Sequence, residues 1–245
     1  MPAVPPDTLK DLAPHGKLRA AINQGNPVLV QRAPEGGEPT GVTIDLAREL
    51  GRRLGVPVEL VLFQAAGEVF DALKRDAWDL AFLAVEPVRA AEIEFTAPYV
   101  LIEGTYMVPK NSSLKDIADV DRPGVRIAVG RGSAYDLYLT RTLKQASLVR
   151  APGAGNAAIE MFVRDRLEAA GGVRQPLDAY ARTAPDMRVM TGRFMSIQQA
   201  MGTPKGRLAG AAYLRGFIEE MKAWGFVADA LKRGGQDPRQ VAPAG

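Results

Sequence analysis

Cysteine is absent from the chain, and histidine occurs once, as His15. The first absence excludes a disulfide framework, a thiolate nucleophile and any zinc site built on sulfur. The second excludes a multi-histidine metal centre and a two-histidine mechanism. No apolar run approaches the ~20 residues of a membrane span. Charge of one sign is also lacking. The 31 basic and 28 acidic residues leave a net charge of +3, and no block of five like charges occurs. The basic residues are scattered and read as solvated helix faces, not as the basic stripe with aromatics that nucleic-acid binding requires. Met1–Asp11 has three prolines and no charged start before an apolar stretch, so it does not read as a signal peptide.

What remains has a globular composition: 47% hydrophobic and 24% charged over 245 residues, enough for one large domain or two modest lobes. Residues 1–15 read as a loose, proline-rich lead-in. Lys17–Ile22 is a strand candidate, followed by the turn cluster Asn23–Pro27 (NQGNP). Ala33–Pro39 reads as a hairpin-type loop. In Val42–Leu54, Ile44, Leu46, Ala47, Leu50 and Leu54 recur at helical spacing, and Gly55 is placed to stop the helix. Val56–Phe63 is a β-rich run, Ala66–Arg75 a short helix, and Asp79–Val85 an apolar run suited to a strand buried on both faces. Strand–helix–strand–helix–strand within about 70 residues predicts a parallel sheet, with ligands at the carboxyl ends of its strands.

A second alternation follows. Gly124–Val129 reads as a strand, Gly130–Ser133 as a glycine-rich turn, and Ala134–Leu143 as a helix. Ser147–Arg150 and Arg166–Ala170 read as strands, with helices over Gly155–Arg164 and Leu177–Ala184. Val189–Met190 and Ile197–Met201 are short extended candidates. Two helices, Pro204–Ala223 and Phe226–Arg233, close the chain, the first with proline at its opening turn. The two α/β units join near Thr105–Asn111, and no internal repeat is evident.

Four segments in this order carry a resemblance. Thr40–Leu54 (TGVTIDLARELGRRL, with Gly55), Asp71–Asp79 (DALKRDAWD), Arg89–Tyr99 (RAAEIEFTAPY) and Val125–Ser133 (VRIAVGRGS) are similar to segments of the solute-binding proteins of ABC importers for polar amino acids. The resemblance covers about Lys17 to Gly234. It implies the type 2 periplasmic-binding fold: α/β, two lobes, each a mixed, mostly parallel sheet flanked by helices, linked by two crossover hinge strands. Lobe 1 would be 1–107 plus 196–245, and lobe 2 would be 108–195. It implies a small carboxylate-bearing solute held between the lobes, an ABC permease as partner, a periplasmic location and a monomer. No enzyme activity, cofactor or metal is implied.

Carried over residue by residue, Arg89 matches the arginine that clamps the ligand carboxylate, and a planar guanidinium offers a bidentate fork for that task. Gly132 and Ser133 match the second-lobe turn whose backbone N–H groups and helix dipole favour an anion. An ordinary N-cap explains Ser133 equally well. Asn26 stands where an aromatic often stacks on the ligand, so Gln24 and Asn26 become hydrogen-bonding candidates or plain turn residues. Tyr135 lines either the site or the core.

Two departures bear on the ligand. Where the family places its amine-binding aspartate, this chain reads Gly171-Gly172-Val173-Arg174-Gln175, with no acid, and Arg174 offers a second positive charge or a surface arginine. Between Asp79 and Arg89 the chain is about two residues short, and the family's hydroxyls give way to Ala84 and Glu86. Glu86 would then pair with Arg89 or receive a ligand cation. The readings left open are a dehydratase of the cyclohexadienyl or arogenate type on the same scaffold, and a paralogue that has lost transport.

Overall fold

The computed structural model describes residues 4–32, 37–152 and 156–245. Much of the loop expected at Ala33–Pro39 lies outside the described residues, but the antiparallel bridge Gln31–Thr40 spans its ends. The chain divides into two compact units, Met1–Leu101 with Gln198–Gly245 (unit 1), and Ile102–Ile197 (unit 2).

Unit 1 is built on β1 (Leu18–Asn23), α2 (Val42–Leu54), β2 (Val58–Phe63), α3 (Ala66–Ala72, extended by a one-turn 3-10 helix) and β3 (Leu80–Ala84). The parallel order is β2-β1-β3, with β9 (Met195–Pro204) antiparallel beyond β3. Helix α2 begins and ends where its apolar period predicts, and Gly55 closes it in the left-handed region at φ 70°. Gly51 lets α2 lie on β2, since a Cβ there would meet Val58 Cγ2 at 2.2 Å. The four-residue α4 (Pro87–Ala90) follows β3.

Unit 2 has the same plan. β5 (Arg126–Gly130), α5 (Ala134–Thr142), β6 (Ser147–Ala151), α6 (Ala157–Arg164) and β7 (Ala169–Val173) give the parallel order β6-β5-β7. Here β4 (Ile93–Pro109) runs antiparallel beyond β7, and β8 (Met187–Val189) pairs with β4. Strands β4 and β9 carry the chain from one unit to the other. α7 (Arg174–Thr183) lies in unit 2. α1 (Pro6–Leu12), α8 (Leu208–Ala223) and α9 (Phe226–Arg233) belong to unit 1.

The two units share one more detail, an arginine–carboxylate strap at the amino-terminal end of each parallel trio. In unit 1, Arg19 donates from its backbone N and Nε to Asp79 Oδ2 (3.2 and 2.9 Å) and from Nη2 to Oδ1 (2.9 Å). In unit 2, Arg126 repeats the pattern on Glu168, with N and Nε to Oε2 (2.8 and 2.9 Å) and Nη2 to Oε1 (2.9 Å). The only non-glycine residues with positive φ among the described residues are Asp76 (49°) and Arg166 (47°), in the turns leading to these two acids. Arg19 and Arg126 each bond the backbone carbonyl of that turn residue. The expectation of no internal repeat is therefore corrected. The repeat lies in topology and in this strap, and few residue identities carry it.

Other expectations are corrected as well. The lead-in contains helix α1, held by α8: Gly210 N donates to Asp11 Oδ2 at 2.9 Å, and Arg207 Nη1 to Asp11 O at 2.8 Å. The strand expected at Arg166–Ala170 is Ala169–Val173, so Gly171 and Gly172 are sheet residues and not a turn. A Cβ on Gly171 would crowd Val129 and Leu139 at 3.3–3.4 Å, which explains the small residue. Pro204 ends β9 instead of opening a helix, and α8 starts at Leu208. The join expected near Thr105–Asn111 is the continuous strand β4.

Candidate functional site

The candidate residues fall at the carboxyl ends of the parallel strands in each unit, where loops must leave the sheet and backbone groups lose their ladder partners.

In unit 1, Pro87 fixes the start of α4 directly after β3, and Glu86 occupies the N-cap position. This one-turn helix folds the Arg89 side chain back on the strand end. Arg89 is 1% exposed, and its Nη1 donates to Ala84 O at 3.1 Å. Glu86 is 3% exposed. Burial lowers the Arg89 pKa to about 10, while the charge of Glu86 works in the opposite direction. The guanidinium remains cationic at neutral pH. Arg89, Glu86 and Ala84 are thus brought together, and Ala84 takes part through its backbone. Its cross-strand neighbour is Gln199, which is also buried.

Asn26 and Gln24 lie after β1. Asn26 is buried, and its Oδ1 accepts the N–H of Val28 at 3.1 Å, an Asx turn. Its carbonyl accepts from Leu29 and Val30. Gln24 Oε1 accepts from Gln64 Nε2 at 3.0 Å, and Gln64 Oε1 accepts from Arg32 at 2.8 Å. Gln24 therefore belongs to an exposed polar network.

In unit 2, Gly132 takes φ +68° to turn the chain from β5 into α5. Ser133 is the N-cap, and its Oγ accepts from Asp136 N at 3.0 Å. Asp136, three residues on, turns its carboxylate back to the N–H of Gly132 at 2.9 Å. The same carboxylate accepts from Arg150 Nε at 2.9 Å and is 4% exposed. The chain's own acid thus stands at the expected anion turn. Tyr135 follows, with its pKa raised by burial against the opposing pull of Ser133 and the Gly130 backbone. It packs against the core cluster of Val129, Leu139 and Tyr106.

Arg174 opens α7 directly after β7. Its Nε meets Glu103 Oε2 at 2.6 Å, Nη1 donates to Met190 O at 3.2 Å, and Nη2 donates to Gly192 O. It ties β4, β7 and the chain after β8 together, all within unit 2. Asp136 and Glu103 went unnoticed in sequence. The Ser133-x-x-Asp136 spacing is a legible capping signal, whereas Glu103 is 71 residues from its partner and gives none. Among the described residues, no three histidine, aspartate or glutamate side chains gather as a metal site needs. No described helix is long and apolar enough to cross a membrane.

The fold recurs in solved structures. A cysteine-binding protein from Campylobacter jejuni superposes with a TM-score of 0.80 at 19% identity, covering 97% of this chain and 99% of the other. A mutant of ArgBP from T. maritima gives 0.76 at 21% identity, covering 93% and 99%. The ancestral amino-acid-binding protein AncCDT-1, a precursor of cyclohexadienyl dehydratase, gives 0.74 at 24%, covering 92% and 98%. At these identities the likeness is one of fold. The amino-acid-binding protein AabA of Dichelobacter nodosus is 25% identical over 115 residues, 46% of this chain and 45% of that relative. The chain thus spans under half the length of the curated relative it matches. The sequence profile of one family matches residues 18–233, nearly the whole chain and both parallel trios. The chain belongs to the bacterial extracellular solute-binding proteins, family 3.

Proposed function

We propose that this protein captures a small carboxylate-bearing solute, an amino acid or related organic acid, and delivers it to an ABC importer outside the cytoplasmic membrane. The family match over residues 18–233 supports the class of activity. The observation that carries the ligand chemistry is Arg89, a buried cation fixed at the carboxyl end of β3. A buried charge needs a counter-charge. Before ligand arrives, Glu86 supplies it. The incoming carboxylate takes over that role and Glu86 turns away. Gln199, beside the end of β3, is a further contact in this reading. Gln24, Arg174, Gly132 and Ser133 have a lesser part, because their polar groups are already engaged. The chain acts by binding and release, with no chemical step.

A thermal-shift screen with amino acids, keto acids, dicarboxylates and prephenate tests this reading, with Arg89→Ala in parallel. Ligand at 100 times its Kd stabilises by about 2.7 kcal/mol, which raises Tm by roughly 5–11 °C in a chain of this size. That shift, absent in Arg89→Ala, is the expected result. No shift for any carboxylate would sink it. The buried carboxyl of Glu86 favours one second reading, a dehydratase with Glu86 as general acid. Conversion of prephenate, abolished in Glu86→Gln, would establish that reading in place of transport.

A further inference from the structure

Among the described residues three acidic side chains are buried: Asp79, Glu86 and Asp136. Two of them are spent within the chain. Asp79 lies at the amino-terminal end of its sheet and accepts from Arg19 and Arg207. Asp136 holds the Gly132 N–H and Arg150 Nε. At the end of β7 the chain runs Val173-Arg174-Gln175 without an acid, and the neighbouring Glu103 is bonded to Arg174 and Arg193. Glu86 is the buried acid that stands beside Arg89 at the carboxyl end of β3.

Glu86 takes the N-cap position of α4, yet its side chain does not cap that helix. In unit 2, by contrast, Ser133 caps α5. The α4 turn brings Arg89, three residues on, back over the same strand end, where its Nη1 bonds Ala84 O. Residues three apart on a helical turn carry their Cβ atoms about 5–6 Å apart. The charge of Glu86 favours the cationic form of Arg89. The two side chains are buried together, and their charges sum to zero.

That sum constrains what can bind. A solute with a carboxylate alone satisfies Arg89 and leaves Glu86 as a buried anion without its cation, which a low-dielectric site penalises heavily. A solute that brings both a carboxylate and an ammonium keeps each buried group matched. Two solute charges carried on one carbon suit two protein charges carried on one helical turn.

We propose that Glu86 is a specificity-determining partner of Arg89: as the solute carboxylate takes Arg89, Glu86 turns to the solute's ammonium, and this one turn of unit 1 reads both charges of a compact zwitterion. This role of Glu86 rests on that of Arg89 as the carboxylate clamp. It ranks amino acids above keto acids and simple organic acids.

Isothermal titration calorimetry on the purified chain tests it. Each standard L-amino acid is paired with the same molecule lacking its α-amine, as in alanine against propionate and phenylalanine against phenylpropionate. The expected result is binding of at least one amino acid, with its amine-free partner at least roughly 30-fold weaker, the loss that follows when one half of a buried charge pair is removed. Glu86→Gln is expected to invert the preference. It weakens the amino acid by at least roughly tenfold and holds the amine-free acid as tightly as the parent does, or more tightly. Equal or tighter binding of the amine-free acids by the parent overturns the role of Glu86 and leaves carboxylate capture at Arg89 standing. A Glu86→Gln variant that is folded by circular dichroism and weakens both partners alike does the same, because a merely structural Glu86 would act in that way. If the variant does not fold, the ratio measured on the parent decides alone. No binding of any member of the panel overturns the role of Arg89, and that of Glu86 with it.

Discussion

The arginine–carboxylate straps of the two units share one bonding pattern in two environments. Asp79 is fully buried and accepts from both Arg19 and Arg207, the latter at 2.7 Å. Burial alone would raise its pKa, but the two arginines outweigh it and leave the group lowered. Glu168 has a 36% exposed side chain, a partner 46% exposed, and no second arginine bonded to it among the described residues. Its pKa is lowered chiefly by the Arg126 hydrogen bond. One geometry therefore serves as a keystone in unit 1 and as a surface clasp in unit 2. Bond count does not set the energetic weight of an ion pair; what surrounds it does.

The largest effect expected from this contrast is on stability. Asp79→Ala leaves two arginines without their buried acid and should cost about 3–5 kcal/mol. Glu168→Ala should cost roughly 0.2–1 kcal/mol. Urea denaturation of both variants reads the difference, and equal losses would break the comparison. A smaller effect is expected with acid. Glu49, bonded to Arg52 and Arg53, has its pKa lowered to about 2, chiefly by the Arg52 hydrogen bond against the opposing effect of burial. A carboxylate with a depressed folded-state pKa stabilises above its unfolded value, and the contribution fades as pH falls through the folded value. Glu49→Gln should thus be less stable than the parent at pH 7, by roughly 1–2 kcal/mol once solvent screening is allowed for. The gap should close between about pH 4.5 and pH 2. A constant gap across that range would show that Glu49 acts by packing.

The smallest effect concerns the two left-handed turn residues. Arg166→Gly relieves a backbone strain of order 1 kcal/mol and should raise Tm by a few degrees, since only its carbonyl serves the strap. Asp76→Gly gains the same relief but loses side-chain bonds to Arg19 and Arg207, so its Tm should stay level or fall. Matching gains in both would show that the Asp76 side chain contributes nothing.

Periodicity and stop signals made much of the fold legible. The bounds of α2 follow from apolar spacing closed by Gly55, those of α9 match the expected Phe226–Arg233, and β3 follows from an unbroken apolar run. What escaped was set by distant partners. Helix α1 depends on Arg207 and Gly210, about 200 residues away. Gly171 of β7 reads as a turn residue until Val129 and Leu139 are seen to crowd it. Of the candidate site, Arg89 and Glu86 stood out as residue types after the β3 run, but their burial together was not readable. The counter-ions of unit 2 were only half so: Asp136 follows a local spacing, whereas Arg174 meets Glu103 only because β4 and β7 are neighbours.

Unit 2 is one continuous stretch of chain, while unit 1 is made from two separated by it. During synthesis, Ile102–Ile197 can complete its own sheet while unit 1 still awaits β9, α8 and α9. The first hundred residues must wait with the β3 edge open and Asp79 lacking Arg207. Unit 2 is therefore expected to acquire protease resistance on the ribosome before unit 1 does, although its residues emerge later.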